Sequence, residues 1–227
     1  MLQSGMLNNI DGIIFDMDGT LIDSMWIWPA VDIDFFEKYD LDPPENFQVG
    51  MEGMSYAETA QYFLDTFPKL SLTLQEVMDE WTEMAMEKYL TQVPLKEGAR
   101  DFLDEMKKRG IKLGIATSNG RELVDETLKV LEIAEMFDSV VTAGEVGAGK
   151  PAPDVYLKVA SEIGIDPARC LVFEDVPMGI LAGKNAGMRV CAVEDDFSRE
   201  QRSRKKELAD YYICDYHEIK SESYEVL

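Results

Sequence analysis

Residues 94–227 alternate between short apolar runs and segments whose apolar side chains recur with helical spacing. The apolar runs are 111–116, 139–142, 170–173 and 189–193. Alternation of this kind predicts a parallel sheet with right-handed helical crossovers, because parallel neighbours need a long connection between them. We therefore predict an α/β chain with a doubly wound, Rossmann-like sheet and a ligand site at the carboxyl ends of its strands.

A buried strand that ends in two carboxylates is predicted near the start of the chain. Apolar residues 13–15 are followed by Asp16 and Asp18, with Met17 between them and Gly19 directly after. Aspartate next to glycine is also typical of an ordinary turn. Because these acids follow an apolar strand, at the end where parallel sheets bind ligands, we interpret Asp16 and Asp18 as candidate functional residues.

The second apolar run, 111–116, leads into Thr117, Ser118, Asn119 and Gly120. A hydroxyl and free backbone N–H groups in a strand-to-helix turn suit a bound phosphate. A plain helix N-cap is the alternative for the same residues.

The third and fourth runs are also followed by charged side chains. Lys150 comes after a glycine-rich stretch, and Glu174 and Asp175 follow an apolar strand directly. Residues 144–150 match most of a P-loop, but Pro151 stands where that motif needs a hydroxyl for Mg²⁺. We therefore interpret Lys150 as a phosphate-binding lysine of another kind of site. A helix is predicted at 154–163, and Pro151 is interpreted as the start of the helical segment that follows Lys150.

Together these segments resemble, in content and order, the four motifs of the haloacid dehalogenase-like (HAD) hydrolases. The resemblance covers essentially the whole chain. Its motifs are Asp16-x-Asp18-Gly19-Thr20-Leu21, Thr117-Ser118-Asn119, Gly149-Lys150-Pro151-x-Pro153-Asp154 and Glu174-Asp175-x-x-x-Gly179-Ile180.

The resemblance implies a phosphatase that acts on a small phosphorylated metabolite through an aspartyl-phosphate intermediate. Asp16 would be the nucleophile, and Asp18 would protonate the leaving group and later deprotonate water. Thr117 and Lys150 would complete the catalytic set. The substrate phosphate would contact four residues: Thr117, Ser118, Asn119 and Lys150.

The resemblance also implies a bound Mg²⁺, a hard cation that prefers oxygen ligands. Asp16 and Asp175 would bind it through their side chains, together with Glu174, and Asp18 through its backbone carbonyl. Four neighbouring acids would raise one another's pKa values unless a cation lay between them.

Residues 23–93 differ from the rest, with helical patterns, little strand signal and all three tryptophans. Helices are predicted at 31–39, 56–67 and 74–90, the second capped by Ser55 and the third by Thr73 with Glu76. The resemblance implies a small helical cap domain at 23–93, inserted into a core domain formed by 1–22 and 94–227.

Two other functions stay open. A β-phosphoglucomutase-like sugar phosphate mutase is the first, although Tyr56 follows Gly53-Met54-Ser55 where such mutases have an arginine. A module that binds phosphate or nucleotide without turnover is the second. The acid at Asp18 favours an enzyme over such a module.

Composition excludes several other classes. The 227 residues carry a formal net charge of -22, which disfavours nucleic acid and anionic membranes as partners. The apolar runs are far shorter than the roughly 20 residues that span a bilayer. His217 is the only histidine, which disfavours a Ser-His-Asp triad.

The first nine residues show no signal-peptide pattern, and the three cysteines are widely spaced. We expect a cytoplasmic protein that is a monomer or a weak dimer. Near the end of the chain, residues 198–209 are predicted to form a charged helix with a solvated surface, and 211–213 an edge strand.

Overall fold

The structure, a computed structural model, describes residues 5–45, 47 and 56–227, with 56–58 as backbone. The chain forms two compact units. One combines the N-terminal residues up to 25 with residues 93–227, and the other comprises residues 26–92.

The first unit is built on a seven-stranded sheet of order β3-β2-β1-β4-β5-β6-β7. All neighbours pair in parallel except β6 and β7, which are antiparallel. The predicted α/β fold with a Rossmann-like parallel sheet is thereby confirmed. The strands are β1 Gly12–Phe15, β2 Lys112–Thr117, β3 Ser139–Thr142, β4 Cys170–Glu174, β5 Arg189–Val193, β6 Tyr211–Ile213 and β7 Glu225–Val226.

Helices connect the strands and form the second unit. Within the described residues of 26–92 lie α1 Ile27–Lys38, α2 Tyr56–Thr66 and α3 Leu74–Thr91. Those of the first unit are α4 Ala99–Lys108, α5 Arg121–Val130, α6 Ala143–Val146, α7 Asp154–Ile163, α8 Pro177–Asn185, α9 Arg202–Leu208 and α10 His217–Ser221.

Strands β1 and β4 lie side by side at the centre of the sheet, and every residue of both is buried. The rings of Phe15 and Phe173, near their carboxyl ends, stack with centroids 5.3 Å apart. Phe102 and Tyr216 pack against both rings. This aromatic cluster fixes the strand ends from which Asp16 and Glu174 emerge, because close-packed interiors resist displacement.

The helical unit has an aromatic core of its own. Trp81 of α3 packs edge-on against Phe63 of α2 and Phe35 of α1, at 4.7 and 5.7 Å between centroids. Thr73 and Glu76 form the predicted capping box at the start of α3. Residues 53–55, which include the predicted Ser55 cap, lie outside the described residues.

Three local predictions were wrong. Strand β6 is not at the edge, because β7 pairs with it on its outer side. Pro151 does not start a helix, since α7 begins at Asp154 and the Lys150–Pro151 peptide, which is cis, precedes it. The segment 198–209 is a 3₁₀ turn, Arg199–Gln201, followed by α9, and Lys205 within it is fully buried.

Among the described helices, none combines the length and the apolar character needed to cross a membrane.

Candidate active site

The site lies where β1, β2 and β4 end, because parallel neighbours terminate at one edge of the sheet. Asp16 follows β1, Thr117 is the last residue of β2 and Glu174 is the last residue of β4. Lys150 enters from the loop between α6 and α7. Asn185 Nδ2, at the end of α8, donates to the Pro151 carbonyl 3.0 Å away and so ties this loop down.

Lys150 is the charged centre of the site. Its Nζ donates to Asp16 Oδ1 and, at 2.5 Å, to Glu174 Oε1. The ammonium also lies 5.2 Å from the centre of the Tyr156 ring. Only 9% of the Lys150 side chain is exposed, so these ion pairs are screened little by solvent.

Glu174 is completely buried and accepts four hydrogen bonds. Lys150 Nζ and the Tyr156 hydroxyl, at 3.0 Å, donate to Oε1. The backbone N–H groups of Asp175 and Val176 donate to Oε2 at 2.9 and 3.2 Å. A carboxylate offers about four acceptor positions, so those of Glu174 are all used within the protein.

Gly179, in the first turn of α8, leaves the space that the Glu174 carboxylate fills. A Cβ at this position would lie only 1.7 Å from Glu174 Oε1. Because four hydrogen bonds hold that carboxylate, it is not free to move aside. Position 179 therefore has to be a glycine for Glu174 to occupy this place.

Asp175 has one satisfied and one unsatisfied carboxylate oxygen. Thr20 Oγ1 donates to Oδ1 at 3.1 Å, whereas the buried Oδ2 has no hydrogen-bond partner. Gly19, whose φ is 72°, leaves room for Oδ2, since a Cβ there would lie 2.5 Å from it. A buried carboxylate oxygen left unpaired is costly unless a cation or a protonated group binds it.

Asp18 is held by neutral donors. Ser24 Oγ donates to its Oδ1 at 2.7 Å, and Asn119 Nδ2 donates to its Oδ2 at 2.5 Å. The hydrogen bond from Asn119 to Asp18 therefore joins the second motif directly to the first. The two donors fix the direction in which the Asp18 carboxylate points.

The remaining predicted residues lie in the turn after β2. Thr117 is buried, and its Oγ1 accepts a hydrogen bond from the Asn119 backbone N–H at 3.1 Å. Ser118 is exposed. Thr117 and Asn119 thus belong to one ordered turn, and Asn119 also reaches Asp18.

The crowding of acids perturbs their titration. Burial raises the pKa of Asp16 to about 7; Lys150 opposes this rise, while Glu174 and Asp18 add to it. Burial also raises the pKa of Asp175 well above its usual value, with further contributions from Glu174 and Asp16. Such shifts are expected where several buried carboxylates share one site and a single ammonium does not balance their charge.

The residues present fit a divalent cation. Carboxylate oxygens of Asp16, Glu174 and Asp175 lie within 4.8 Å of one another, although those of Glu174 already accept four hydrogen bonds. An all-oxygen donor set that includes the unpaired Asp175 Oδ2 suits a hard ion such as Mg²⁺.

Sequence reasoning missed several residues that shape the site. Tyr156, Gly179 and Thr20 contact or accommodate Glu174 and Asp175. Thr20 and Gly179 belong to the recognised motifs, so a closer analysis of those motifs would have singled them out. Tyr156 lies inside α7 and has no signal in the sequence that distinguishes it from a core aromatic residue.

Comparison with known proteins places the chain in one family. A family model described as haloacid dehalogenase-like hydrolase matches residues 13–193. Hexitol phosphatase A of Escherichia coli is 33% identical over 187 residues, covering 80% of this chain and 82% of that protein. Hexitol phosphatase B of the same species is 28% identical over 181 residues, covering 79% and 82%.

A crystal structure of a provisionally named β-phosphoglucomutase from Thermotoga maritima has a TM-score of 0.79 to this chain. The two are 25% identical, and the match covers 94% of this chain and 98% of that one.

The chain therefore belongs to the haloacid dehalogenase-like hydrolases, as its four motifs predict. The named phosphatases among its relatives support the prediction of a phosphatase within that family.

Proposed function

We propose that this protein is a Mg²⁺-dependent phosphatase of a small phosphorylated metabolite and that Asp16 is its nucleophile. The observation that carries the proposal is the contact of Lys150 with both Asp16 and Glu174, next to the unpaired Oδ2 of Asp175. A nucleophilic carboxylate, a fixed positive charge and a cation ligand are what an anionic nucleophile needs to approach a phosphate.

In the first step an Asp16 carboxylate oxygen bonds to phosphorus while the bond from phosphorus to the leaving oxygen breaks. Asp18 starts this step protonated and donates that proton to the leaving oxygen, so the leaving group departs as an alcohol. In the second step Asp18 takes a proton from water, the water oxygen bonds to phosphorus and the Asp16–phosphorus bond breaks. Ser24 and Asn119 support this role because they orient the Asp18 carboxylate.

Mg²⁺ would be held by the side chains of Asp16 and Asp175 and by the backbone carbonyl of Asp18. When bound, the ion supplies positive charge that offsets the charge of the phosphate. Glu174 belongs to the same acid cluster, but its acceptor positions are filled, so we assign it to the orientation of Lys150. Lys150 and the turn at Thr117, Ser118 and Asn119 would bind the phosphate oxygens.

The substrate class follows from the relatives rather than from the site. Hexitol phosphatases A and B resemble this chain over four fifths of their length, which makes hexitol phosphates the first candidates. We assign 1–22 with 94–227 to the core domain and 23–93 to a cap domain that distinguishes leaving groups.

Release of inorganic phosphate from a panel of hexitol, sugar, nucleotide and short-acid phosphates tests the proposal. We expect release that requires Mg²⁺, disappears with EDTA and is absent in Asp16→Asn. Asp125→Asn, an exposed aspartate of α5 outside the four motifs, is the matched control and should retain activity.

A mutase is the second candidate, favoured by the likeness to the Thermotoga maritima structure. Conversion of glucose 1-phosphate to glucose 6-phosphate without release of phosphate would favour it. Binding of phosphate esters without any turnover would leave a silent binding module instead.

A further inference from the structure

Lys205 is a buried lysine that the proposed chemistry does not use. It lies in α9, a helix rich in charged residues, yet its side chain is fully buried. Its Nζ donates to the Val193 carbonyl at 3.1 Å and to Ser198 Oγ at 3.0 Å, and lies 3.5 Å from Glu194 Oε2.

Burial of an ammonium is unfavourable unless its hydrogen bonds compensate for lost water. Burial lowers the pKa of Lys205, whereas the nearby Glu194 and Asp175 carboxylates raise it. An apolar side chain of similar size would fill the same space without this cost. We therefore attribute the presence of a lysine at position 205 to the groups that its N–H donors hold in position.

The donors of Lys205 determine the orientation of the Ser198 hydroxyl. An ammonium only donates, so Ser198 Oγ must accept from Lys205 and direct its own proton elsewhere. The Asp175 backbone carbonyl lies 2.9 Å from Oγ, whereas the Asp195 carbonyl lies 3.5 Å away. The hydroxyl proton therefore goes to the carbonyl of Asp175.

Asp175 is thus held at three points. Ser198 donates to its carbonyl, its N–H donates to Glu174 Oε2, and Thr20 donates to its Oδ1. Only Oδ2 is left without a hydrogen bond. Groups that orient a metal ligand from behind commonly govern metal affinity by about 10–100-fold.

We propose that Lys205 and Ser198 are positioning residues that present Asp175 Oδ2 to the divalent cation, so that α9 sets the metal affinity of the site. The proposal rests on the Mg²⁺ site of the proposed function. Both side chains are buried and act through the Asp175 carbonyl, so the effect is confined to the binding of the cation.

The test compares Lys205→Met with Lys206→Met, which changes the next lysine, one that pairs at the surface with Glu225. Calorimetric titration of metal-free protein with Mg²⁺ should show affinity about 10-fold weaker for Lys205→Met and unchanged for Lys206→Met. In phosphate release, the Mg²⁺ concentration for half-maximal rate should rise by the same factor. kcat at saturating Mg²⁺ and KM for substrate should stay within about twofold.

Ser198→Ala provides the second variant, in case Lys205→Met does not fold. It should weaken Mg²⁺ binding similarly, and the double variant should be little worse than either single one, because both act through one hydrogen bond. Metal-free thermal unfolding identifies any general loss of structure.

Unchanged Mg²⁺ affinity in folded Lys205→Met and Ser198→Ala would overturn the proposal, as would a fall in kcat at saturating Mg²⁺. Failure of the proposed function looks different: the wild-type protein would bind Mg²⁺ but release no phosphate. Absence of Mg²⁺ binding by the wild-type protein would overturn both.

Discussion

Lys150 and Lys205 are both buried lysines near the carboxyl ends of the strands, but they contact different kinds of oxygen. Lys150 donates to two carboxylates, whereas Lys205 donates to a carbonyl and a hydroxyl, with its nearest carboxylate 3.5 Å away. Burial alone would lower both pKa values. For Lys150 the charges of Asp16 and Glu174 raise the pKa well above its ordinary value, while the pKa of Lys205 is lowered.

These two lysines have different roles in the first unit. The charge of Lys150 offsets nearby negative charge, and its removal would leave acids uncompensated. Lys205 mainly supplies hydrogen bonds that orient neutral groups. Substitution of Lys150 should therefore slow the steps in which charge develops on the phosphate. Substitution of Lys205 should instead change the position of Asp175.

The largest effect is expected for Lys150→Met. Loss of the ammonium that we propose binds the phosphate should lower kcat by about 1000-fold at saturating Mg²⁺, as for loss of a preorganised electrostatic group. Lys158→Met, an exposed lysine of α7 paired with Glu162, is the control. A kcat within threefold of the wild-type value would remove Lys150 from the mechanism and weaken its contrast with Lys205.

Gly179→Ala should be next, with activity lower by about 100-fold, because the new Cβ collides with Glu174 and displaces the partner of Lys150. Gly144→Ala is the matched control, since its Cβ would meet no atom closer than 3.8 Å. Steady-state phosphate release with both variants measures the effect. Full activity of Gly179→Ala would mean that the Glu174 contact is dispensable.

Stability of the metal-free protein should depend on pH through Asp16. Its pKa in the folded protein is raised by burial to about 7, from an ordinary value of 3.8. The stabilising contribution of its bound proton is thus fully present below the unfolded-state pKa and is lost as pH rises towards 7. Mg²⁺ should restore this loss, so its stabilising effect should be larger at pH 8 than at pH 5.

Thermal unfolding with EDTA and with Mg²⁺ at both pH values tests this expectation. Asp16→Asn should reduce the pH dependence in EDTA, and Asp175, whose pKa is also raised by burial, should account for part of what is left. An equal Mg²⁺ effect at pH 5 and pH 8 would contradict the assignment of the ion to these carboxylates.

Thr20→Val should have the smallest effect, raising the Mg²⁺ concentration for half-maximal rate by about threefold. It removes the hydrogen bond to Asp175 Oδ1 but leaves the backbone held by Ser198. Thr20→Ser keeps the hydroxyl and should behave as wild type. A larger effect than that of Lys205→Met would show that the side-chain contact, not α9, governs the position of Asp175.

Most strands and helices could be predicted because their apolar periodicity is strong and glycine or proline marks their ends. Helices such as α7 and strands such as β3 and β5 have the predicted limits. Strand β7 and helix α10 were missed, since segments of two and five residues carry too little periodicity to detect.

Sequence patterns alone predict the family, the parallel α/β fold, and the acids and the lysine that follow each strand. Each of these depends on local patterns: an apolar strand, the residue types that follow it and their order. A strand too apolar for the surface must be buried, and the acids at its end must then lie at the sheet edge.

Which charges are buried, and which groups they contact, depends on the packing of the folded chain. Lys205 and its neighbour Lys206 look alike in the sequence, yet one is enclosed behind Asp175 and the other pairs at the surface with Glu225. The tertiary structure likewise pairs Tyr211 of β6 with Val226 of β7, a strand of two residues that no sequence pattern indicates. Burial depends on how elements distant in the chain pack together, and no local pattern of residues encodes it.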